Sequence, residues 1–278
     1  MTVPRLLTIA GSDSGGGAGI QADLKAFAAA GGYGMTAIVA LTAQNTLGVR
    51  AVHEVPATFV REQLEAVFGD IGVDAAKTGM LFSRAVIEAV AEFLSTHRVP
   101  LVVDPVLVAS SGAKLLEDDA VEALVTKLFP LATVVTPNLM EAEALASNRL
   151  LQAASRTRAG GTRASNRLLQ TKSELAEALV ELGAPAVIVT GGHGDPVDHL
   201  FDGSRHVEIP VERYGVAATH GAGCTHSATL AALLARGLSL ADAARGAAAA
   251  ASDAVRHGLD GIGGGDGPVD ILHLKGRP

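Results

Sequence analysis

Short apolar runs alternate with longer segments of helical period along almost the whole chain. A repeated strand-then-helix pattern is typical of a largely parallel sheet with helices on both faces. The predicted strands are Leu6–Ala10, Thr36–Thr42, Leu101–Val103, Thr133–Thr136 and Ala186–Thr190. The predicted helices lie near Ala18–Ala30, Ala57–Phe68, Ser83–Thr96, Asp118–Leu128 and Lys172–Leu182, followed by two alanine-rich helices at Cys224–Ala235 and Leu240–His257. Because no linker rich in proline or serine divides the sequence, we predict one α/β domain over residues 1–278.

The composition of the 278 residues excludes some classes of function. Hydrophobic residues make up 48% and aromatic residues only 3%, so valine, leucine, isoleucine and alanine must fill the core of the sheet. A net charge of -7 and the lack of aromatic side chains argue against a nucleic-acid binder, which needs a basic face or stacking platforms. The single cysteine cannot form an internal disulfide, so we expect a cytoplasmic protein.

One uncharged stretch, residues 26–49, is long enough to cross a membrane. Gly31, Gly32 and Gly34 interrupt it, and polar residues such as Gln44 and Asn45 follow. This pattern favours the end of a helix, a glycine turn and a buried strand. We therefore predict no membrane segment.

Polar residues follow most of the predicted strands. In an open α/β sheet, ligands bind beyond the carboxyl ends of the strands, so these residues are the first candidates for a site. They are Gly11-Ser12-Asp13, Gln44-Asn45-Thr46, Asp104-Pro105, Thr136-Pro137-Asn138 and Gly191-Gly192-His193. We expect these separate segments to converge on one edge of the sheet.

The first glycine cluster, Gly11–Gly19, lies between a strand and a helix. Its spacing does not fit the dinucleotide fingerprint, because Ile20 stands where the third glycine belongs, and no Gly-Lys-Ser/Thr follows any glycine run. The cluster allows the backbone to approach a small ligand closely. A tight turn between strand and helix is the alternative interpretation.

The second cluster, Thr219–Thr225, precedes an alanine-rich helix. Small residues at a helix start leave N–H groups free at the positive end of the helix dipole, which suits a phosphoryl group. We predict an anion hole at Gly221, Ala222 and Gly223. The dipole is also expected to lower the pKa of the thiol of Cys224, although a small buried residue is the alternative.

A third group comprises Asn138, Glu141 and Asp104. An asparagine and a carboxylate at this spacing, with a second carboxylate after a buried strand, can hold hydrated Mg²⁺ beside nucleotide phosphates. The alternatives are structural: Asn138 and Glu141 also fit a helix capping box, and Asp104 fits a turn cap before Pro105.

Other catalytic chemistries lack their sequence signatures. The nine histidines show no metal-ligand spacing with cysteine, and His193, His199 and His206 are too scattered for a zinc site. The nucleophile elbow of serine hydrolases is also missing from the sequence.

A seven-residue segment occurs twice in the sequence. Ala146–Gln152 recurs letter for letter at Ala164–Gln170, offset by 18 residues, and three arginines lie between the copies. We predict a duplicated loop insertion over 146–170, exposed, basic and mobile. A lid or a subunit contact is the alternative.

Together these motifs resemble the ribokinase superfamily, and most closely the bacterial hydroxymethylpyrimidine and phosphomethylpyrimidine kinases of thiamine biosynthesis. The matching segments are Ala10–Lys25, Ala43–Thr46, Lys77–Leu81, Val103–Val106, Thr136–Leu139 with Glu141, Gly191–His193, His220–Thr225 and Gly267–Val269. The resemblance covers nearly the whole chain outside the repeat. It implies a three-layer α/β/α sandwich and an ATP-dependent phosphotransferase that needs Mg²⁺ and forms a homodimer.

The resemblance also implies roles for individual residues. Gln44 would hydrogen-bond the aminopyrimidine, since an amide both donates and accepts. The other substrate residues would be Gly11, Asp23, Met80 and Val106. The nucleotide residues would be Asn138, Glu141, Thr190 and Gly192, with Asp104 and Glu141 at the metal. Cys224 would lie next to the hydroxymethyl group, and the glycine-rich hole before it would stabilise the transferred phosphoryl group.

Three features depart from the family pattern. Thr190 stands where these kinases often have lysine, Met140 replaces a common proline, and the repeat adds about 18 residues.

Two other functions stay open at this point. A pyridoxal or pyridoxine kinase acts on a similar flat ring with a hydroxymethyl group, and a non-catalytic binder could keep the same fold.

Overall fold

The computed structural model describes residues 2–107, 116, 118–147, 171–191 and 195–276. Gly192 and nearly all of the 146–170 repeat lie outside these residues, so those predictions stay untested. The strands are β1 Arg5–Asp13, β2 Tyr33–Asn45, β3 Gly48–Glu54, β4 Ala75–Thr78, β5 Leu101–Val103, β6 Val134–Val135, β7 Val187–Val189, β8 Val197–Phe201 and β9 His206–Pro210. The α-helices are α1 Gly19–Ala29, α2 Ala57–Ala66, α3 Arg84–Thr96, α4 Asp118–Ala123, α5 at 139–147, α6 Lys172–Glu181, α7 Ala222–Ala235 and α8 Leu240–Arg256.

The nine strands form one sheet in the order β3-β2-β1-β4-β5-β6-β7-β8-β9. The strands from β2 to β7 in this order pair in parallel, and β3, β8 and β9 add antiparallel pairs at the two edges. The prediction of a largely parallel sheet is confirmed. The edge strands and the short β4 are additions to the predicted set, because their residues are not continuous apolar runs.

Helices cover both faces of the sheet. One apolar cluster joins the sheet to α2, α3, α4 and α6, through residues such as Val60, Val86 and Leu175. A second cluster joins it to α1, α7 and α8, through Phe27, Leu230 and a row of alanines on α8. Leu6 and Leu7, adjacent on β1, belong to different clusters because alternate side chains of a strand point to opposite faces. The predicted three-layer sandwich is confirmed.

The uncharged stretch 26–49 contains the end of α1, a turn and most of β2. Gly31 has a φ of +72°, which only glycine adopts easily, and it ends the helix. None of the helices in the described part of the chain has the length and apolar character to cross a membrane.

The carboxyl ends of the parallel strands lie along one edge of the sheet. Asp13 ends β1, Asp104 follows β5, and Asn138 follows β6. The amino end of α7 faces the same edge, because Ser227 on its second turn donates a hydrogen bond to Asp104. The segments singled out from the sequence therefore converge where the sheet topology predicts a ligand site.

Candidate active site at the carboxyl ends of the strands

The glycine-rich loop after β1 folds around the carboxylate of Asp13. The N–H groups of Gly15, Gly17 and Ala18 donate to its oxygens at 2.7, 3.0 and 2.9 Å. Nε2 of His220, in the second glycine cluster, lies 3.3 Å from Oδ2 of Asp13. Burial alone would raise the pKa of Asp13, but hydrogen bonds from His220 and the backbone hold it below its usual range. An ionised carboxylate thus links the two glycine clusters.

The second glycine cluster packs directly against the first at Gly221. This residue is the N-cap of α7, has a φ of +87° and makes no side-chain cap. A Cβ built there would lie 1.9 Å from the carbonyl oxygen of Gly17, so only glycine fits. The N–H of Ala222 donates to the carbonyl of Thr219 at 3.1 Å, whereas within the described part of the chain the N–H of Gly223 has no acceptor. Of the predicted anion-hole donors, Gly223 is therefore better placed than Ala222.

A buried lysine lies at the centre of the site. Lys77, on β4, has no solvent exposure, and its Nζ lies 2.9 Å from Oδ1 of Asp23 and 3.6 Å from Oδ2 of Asp104. Thr8 donates a further hydrogen bond to Asp23 at 2.6 Å. Burial alone would lower the pKa of Lys77, but the neighbouring anionic groups, Asp23 foremost, raise it above its usual value. One cation thus holds two buried carboxylates.

The position of Asp23 does not fit the predicted direct contact with substrate. Its side chain is fully buried on α1, and both of its oxygens already bind Lys77, with Thr8 on one of them. The carboxylate instead compensates the charge of the buried lysine. We therefore assign Asp23 to the support of the site.

The thiol of Cys224 faces the same charged cluster. Burial of the thiol, together with the charges of Asp23 and Asp104, raises its pKa to about 12. Lys77 and a hydrogen bond from the N–H of Gly19 act in the opposite direction and lower the pKa by less. The expectation that the helix dipole lowers this pKa is wrong. The residue has intermediate exposure, and its thiol lies close enough to Asp23 and Asp104 to feel their charges. At neutral pH the group is a thiol.

Asp104, which follows β5, and Glu141, on the first turn of α5, are two buried carboxyl groups that interact electrostatically. Glu141 and Asn138 make the predicted capping box: each backbone N–H donates to the other's side chain at 2.9 Å. Burial, followed by the charge of Asp104, raises the pKa of Glu141 to about 8. The structural interpretation of Asn138 and Glu141 is confirmed, and it leaves their proposed ligand role open.

This carboxyl pair fits a magnesium ion. Mg²⁺ prefers carboxylate and water oxygens, and Asp104 after β5 and Glu141 on the first turn of α5 supply two carboxylates. Burial, followed by the charge of Asp104, raises the pKa of Glu141, and a divalent cation bound between the two groups would favour their ionised forms. The donor set therefore suits the metal predicted from the sequence.

Thr190 lies beside Asn138, across the ends of β6 and β7. Its N–H donates to the carbonyl of Pro137 at 2.9 Å, and a parallel bridge pairs it with Asn138. The next residue, Gly191, donates its N–H to the buried Asp198 at 2.5 Å. The predicted nucleotide residues Thr190 and Asn138 are thus neighbours.

Gly11 and Met80 lie in contact at the ends of β1 and β4. The N–H of Gly11 donates to the carbonyl of Met80 at 3.2 Å, and a Cβ at Gly11 would lie 2.5 Å from the methyl carbon of Met80. Val106, the third predicted ring contact, is half-buried two residues after Asp104. Gly11 therefore lets Met80 approach the strand end.

Gln44 lies near the end of β2, beside the first glycine cluster. The hydroxyl of Ser14 accepts from its N–H at 2.8 Å and donates to its carbonyl at 2.7 Å. The side-chain oxygen of Gln44 accepts from Thr42 at 3.3 Å, and in the described part of the chain its amide nitrogen makes no hydrogen bond. The backbone of Gln44 is fixed while its amide keeps donor capacity for a ligand.

Ser227 is a site residue outside every sequence motif, whereas Lys77 and His220 lie inside matching motifs without an assigned role. A charged residue inside the four-residue buried strand Ala75–Thr78 is the available signal for Lys77, since an unpaired buried lysine is too costly. The partners of Ser227 and His220 lie 123 and 207 residues away in the chain, so no local pattern shows them.

Solved structures place this architecture among the ribokinase-like kinases. Bacillus subtilis pyridoxal kinase, solved as an ADP complex, superposes with a TM-score of 0.83 at 34% identity, over 99% of this chain and 100% of that chain. A phosphomethylpyrimidine kinase from Clostridium difficile 630 superposes with a TM-score of 0.71 at 36% identity, over 89% and 96%.

The chain belongs to the phosphomethylpyrimidine kinase family, whose model matches residues 13–270. It is 47% identical over 272 residues to the hydroxymethylpyrimidine/phosphomethylpyrimidine kinase of Rhizobium meliloti (strain 1021), covering 96% of each chain. It is 42% identical to the enzyme of that description from Bacillus subtilis (strain 168), covering 99% and 97%. The family predicted from the sequence motifs is confirmed.

Proposed function

We propose that this chain transfers a phosphoryl group from ATP to 4-amino-5-hydroxymethyl-2-methylpyrimidine, and a second one to the resulting monophosphate, in thiamine biosynthesis. Membership of the kinase family supports this function. The observation that carries it furthest is the contact between the two glycine clusters, which sets the start of α7 against the loop after β1. A phosphate site and a ring pocket then share one edge of the sheet.

The pyrimidine ring lies, in this proposal, between the end of β1 and the end of β2. Gln44 recognises it through an amide that can donate and accept towards adjacent ring atoms. Gly11 and Met80 supply apolar contact, and Val106 completes the pocket on the side of Asp104. The hydroxymethyl group then points to the start of α7.

Phosphoryl transfer rests on positioning and on charge stabilisation. In the first transfer, the substrate hydroxyl oxygen forms a bond to the γ-phosphorus as the bond to the leaving ADP oxygen breaks, and the hydroxyl proton passes to water. In the second transfer, a phosphate oxygen of the monophosphate is the attacking atom. The N–H of Gly223 and the dipole of α7 stabilise the charge on the transferred group. Cys224, with a pKa of about 12, already carries its proton, so we assign it to contact with the hydroxymethyl group and not to proton abstraction.

Asp104 and Glu141 would hold Mg²⁺ on the nucleotide side. The ion, when bound, neutralises charge on the phosphates of ATP. Asn138 keeps Glu141 in place through the capping box, and Ser227 orients Asp104 by a hydrogen bond of 2.9 Å. Thr190 and Gly192 complete the proposed nucleotide contacts.

Two properties beyond the reaction are part of the proposal. The homodimer rests on the family resemblance alone. A cytoplasmic location rests on the single cysteine, which suits a reducing compartment.

The direct test measures ADP formation from ATP with the hydroxymethylpyrimidine, its monophosphate and pyridoxal in parallel. We expect turnover of both pyrimidines, with a lower kcat/KM for pyridoxal. A reaction without any acceptor substrate measures background hydrolysis. Failure to turn over either pyrimidine would remove the proposed function.

Pyridoxal phosphorylation is the second candidate. Staphylococcus aureus pyridoxal kinase, solved with AMP-PCP and pyridoxal, superposes on 99% of this chain with a TM-score of 0.82 at 33% identity, and the chain covers 96% of it. This TM-score is higher than the value of 0.71 for the superposition on the Clostridium difficile phosphomethylpyrimidine kinase. A kcat/KM for pyridoxal above that for both pyrimidines would favour this candidate.

A further inference from the structure

Three potential metal ligands from two segments meet at the end of α8, on side chains that the proposed reaction does not use. Asp253 and His257 are four residues apart and so share one face of the helix. His273 comes from the segment after it. One ligand atom from each of the three lies within 4.8 Å of the others.

The distances suit a small transition-metal ion. Oδ2 of Asp253 lies 3.1 Å from Nε2 of His273. In tetrahedral zinc sites, bonds of about 2.0–2.2 Å place neighbouring ligand atoms roughly 3.3–3.5 Å apart. The imidazole rings of His257 and His273 lie 4.5 Å apart between centroids, at 63° to each other. A small rotation of these side chains would complete the geometry.

Both histidines face Asp253. Nδ1 of His257 lies 3.4 Å from Oδ1 of Asp253 and 2.9 Å from its carbonyl oxygen, so a metal ion bound at this nitrogen would replace a hydrogen bond to that carbonyl. His273 has a φ of +53°, which is uncommon for a residue other than glycine, and this conformation directs its ring towards Asp253.

We propose that Asp253, His257 and His273 bind one divalent transition-metal ion, with Zn²⁺ as the preferred ion. Two imidazoles and one carboxylate are typical zinc ligands, and hard cations such as Mg²⁺ disfavour the imidazole nitrogens. The three side chains are between 37% and 53% exposed. The ion has a path of entry, and a water molecule can take the fourth position.

A metal here would fasten the C-terminal segment to α8, close to the anion hole. Within that segment, Gly267 accepts from the N–H of His220 at 3.1 Å, and Val269 donates to the carbonyl of His220 at 3.0 Å. His220 directly precedes Gly221. The site thus braces the strand-like segment that supports the start of α7, and zinc binding is expected to raise the stability of this region.

The test uses the full chain after treatment with a chelator, titrated with ZnCl₂ in a calorimeter. We expect one zinc ion per chain, a rise in the unfolding temperature with zinc, and no displacement by a large excess of Mg²⁺. Co²⁺ in place of zinc should give the visible absorption bands of tetrahedral coordination.

Variants assign the zinc to these residues. His273→Ala and Asp253→Asn should each weaken zinc affinity by at least about tenfold, with unchanged circular dichroism without metal. His206→Ala is the matched control, because His206, His199 and Glu177 form a separate cluster on β9, β8 and α6. His257→Gln, which keeps a polar side chain, is a second variant that should lose affinity if His273→Ala does not fold.

Three results would overturn the proposal. Zinc affinity could stay unchanged in His273→Ala and His257→Gln, or it could fall only in His206→Ala. The chain could also show no saturable zinc binding. In each case the three residues would form ion pairs only. Activity is not part of the readout, so this outcome is independent of the proposed kinase function.

Discussion

Lys77 Nζ lies 2.9 Å from Oδ1 of Asp23, and neither side chain is exposed to solvent. The pair joins β4 to α1 at the point where the parallel strands end. Because Asp104 also faces the lysine, at 3.6 Å, removal of the cation would leave two buried carboxylates without compensation.

We predict that Lys77→Met lowers the free energy of unfolding by about 3–5 kcal/mol, because loss of the cation leaves a buried carboxylate without a counter-charge. Urea denaturation followed by circular dichroism measures the loss. Lys25→Met is the control, since Lys25 is partly exposed on α1 and its Nζ binds a backbone carbonyl, that of Gly16. A loss below about 1 kcal/mol in Lys77→Met would contradict the role of the pair.

Gly221→Ala should reduce kcat by at least about 100-fold, the usual cost of losing one donor of an anion hole. The added Cβ would meet the carbonyl oxygen of Gly17 at 1.9 Å, so the start of α7 must move. Steady-state kinetics with saturating ATP measure the effect. Gly215→Ala serves as control, because a Cβ there meets nothing within 4 Å. Equal kcat values in the two variants would show that the close contact is unimportant for catalysis.

Alkylation of Cys224 by iodoacetamide should speed up with pH and show no plateau below about pH 10. The raised pKa, about 12, means that the reactive thiolate is a minor species until the pH approaches that value. Free cysteine, measured alongside, should level off near its ordinary pKa. A plateau between about pH 7 and 8 would restore the low-pKa thiolate expected from the helix dipole.

Glu141 should make stability fall as the pH rises from about 5 to 8. Its pKa is about 8 in the folded chain, against an ordinary value of 4.5 that applies once the chain unfolds, so only the unfolded chain ionises in this window. The stabilisation is complete below the unfolded pKa and is lost as the pH passes the folded pKa. Glu141→Gln should flatten this dependence in urea denaturation.

The exposed Glu143, on the same helix, gives the control for this prediction. Glu143→Gln should keep the pH dependence of the unmodified chain. Addition of Mg²⁺ should oppose the fall in stability in the unmodified chain and have less effect in Glu141→Gln. Identical pH profiles for Glu141→Gln and the unmodified chain would assign the dependence to another group.

Gln44→Ala should raise KM for the hydroxymethylpyrimidine at least about tenfold and leave KM for ATP nearly unchanged, because a lost hydrogen bond to a polar ring group costs over about 1 kcal/mol. Gln44→Glu tests the donor alone, since a carboxylate can only accept. If both Michaelis constants rise equally, Gln44 does not contact the ring.

Local sequence pattern predicts much of the fold. Continuous apolar runs such as Leu101–Val103 are buried strands, and Asn138 with Glu141 forms the predicted cap. The strands β3 and β9 are not predicted from the sequence. They lie at the two edges of the sheet and mix polar with apolar residues, so neither forms a continuous apolar run.

Local rules fail where distant segments decide the electrostatics. The helix dipole at Cys224 is a property of α7 alone, but burial of the thiol, followed by the charges of Asp23 and Asp104 from other elements, raises its pKa. The burial of Asp23 beside Lys77, which is 54 residues away in the chain, likewise depends on tertiary structure. Sequence motifs select residues that the structure places along one edge of the sheet, and their charge states depend on tertiary contacts.

The contact between Gly17 and Gly221 joins the loop after the first strand to a helix near the other end of the chain. A nascent chain therefore cannot assemble the phosphate site until the residues through Gly221 have left the ribosome, even if the early strands are already paired. Catalytic activity is therefore expected only after the chain has been synthesised through at least Gly221.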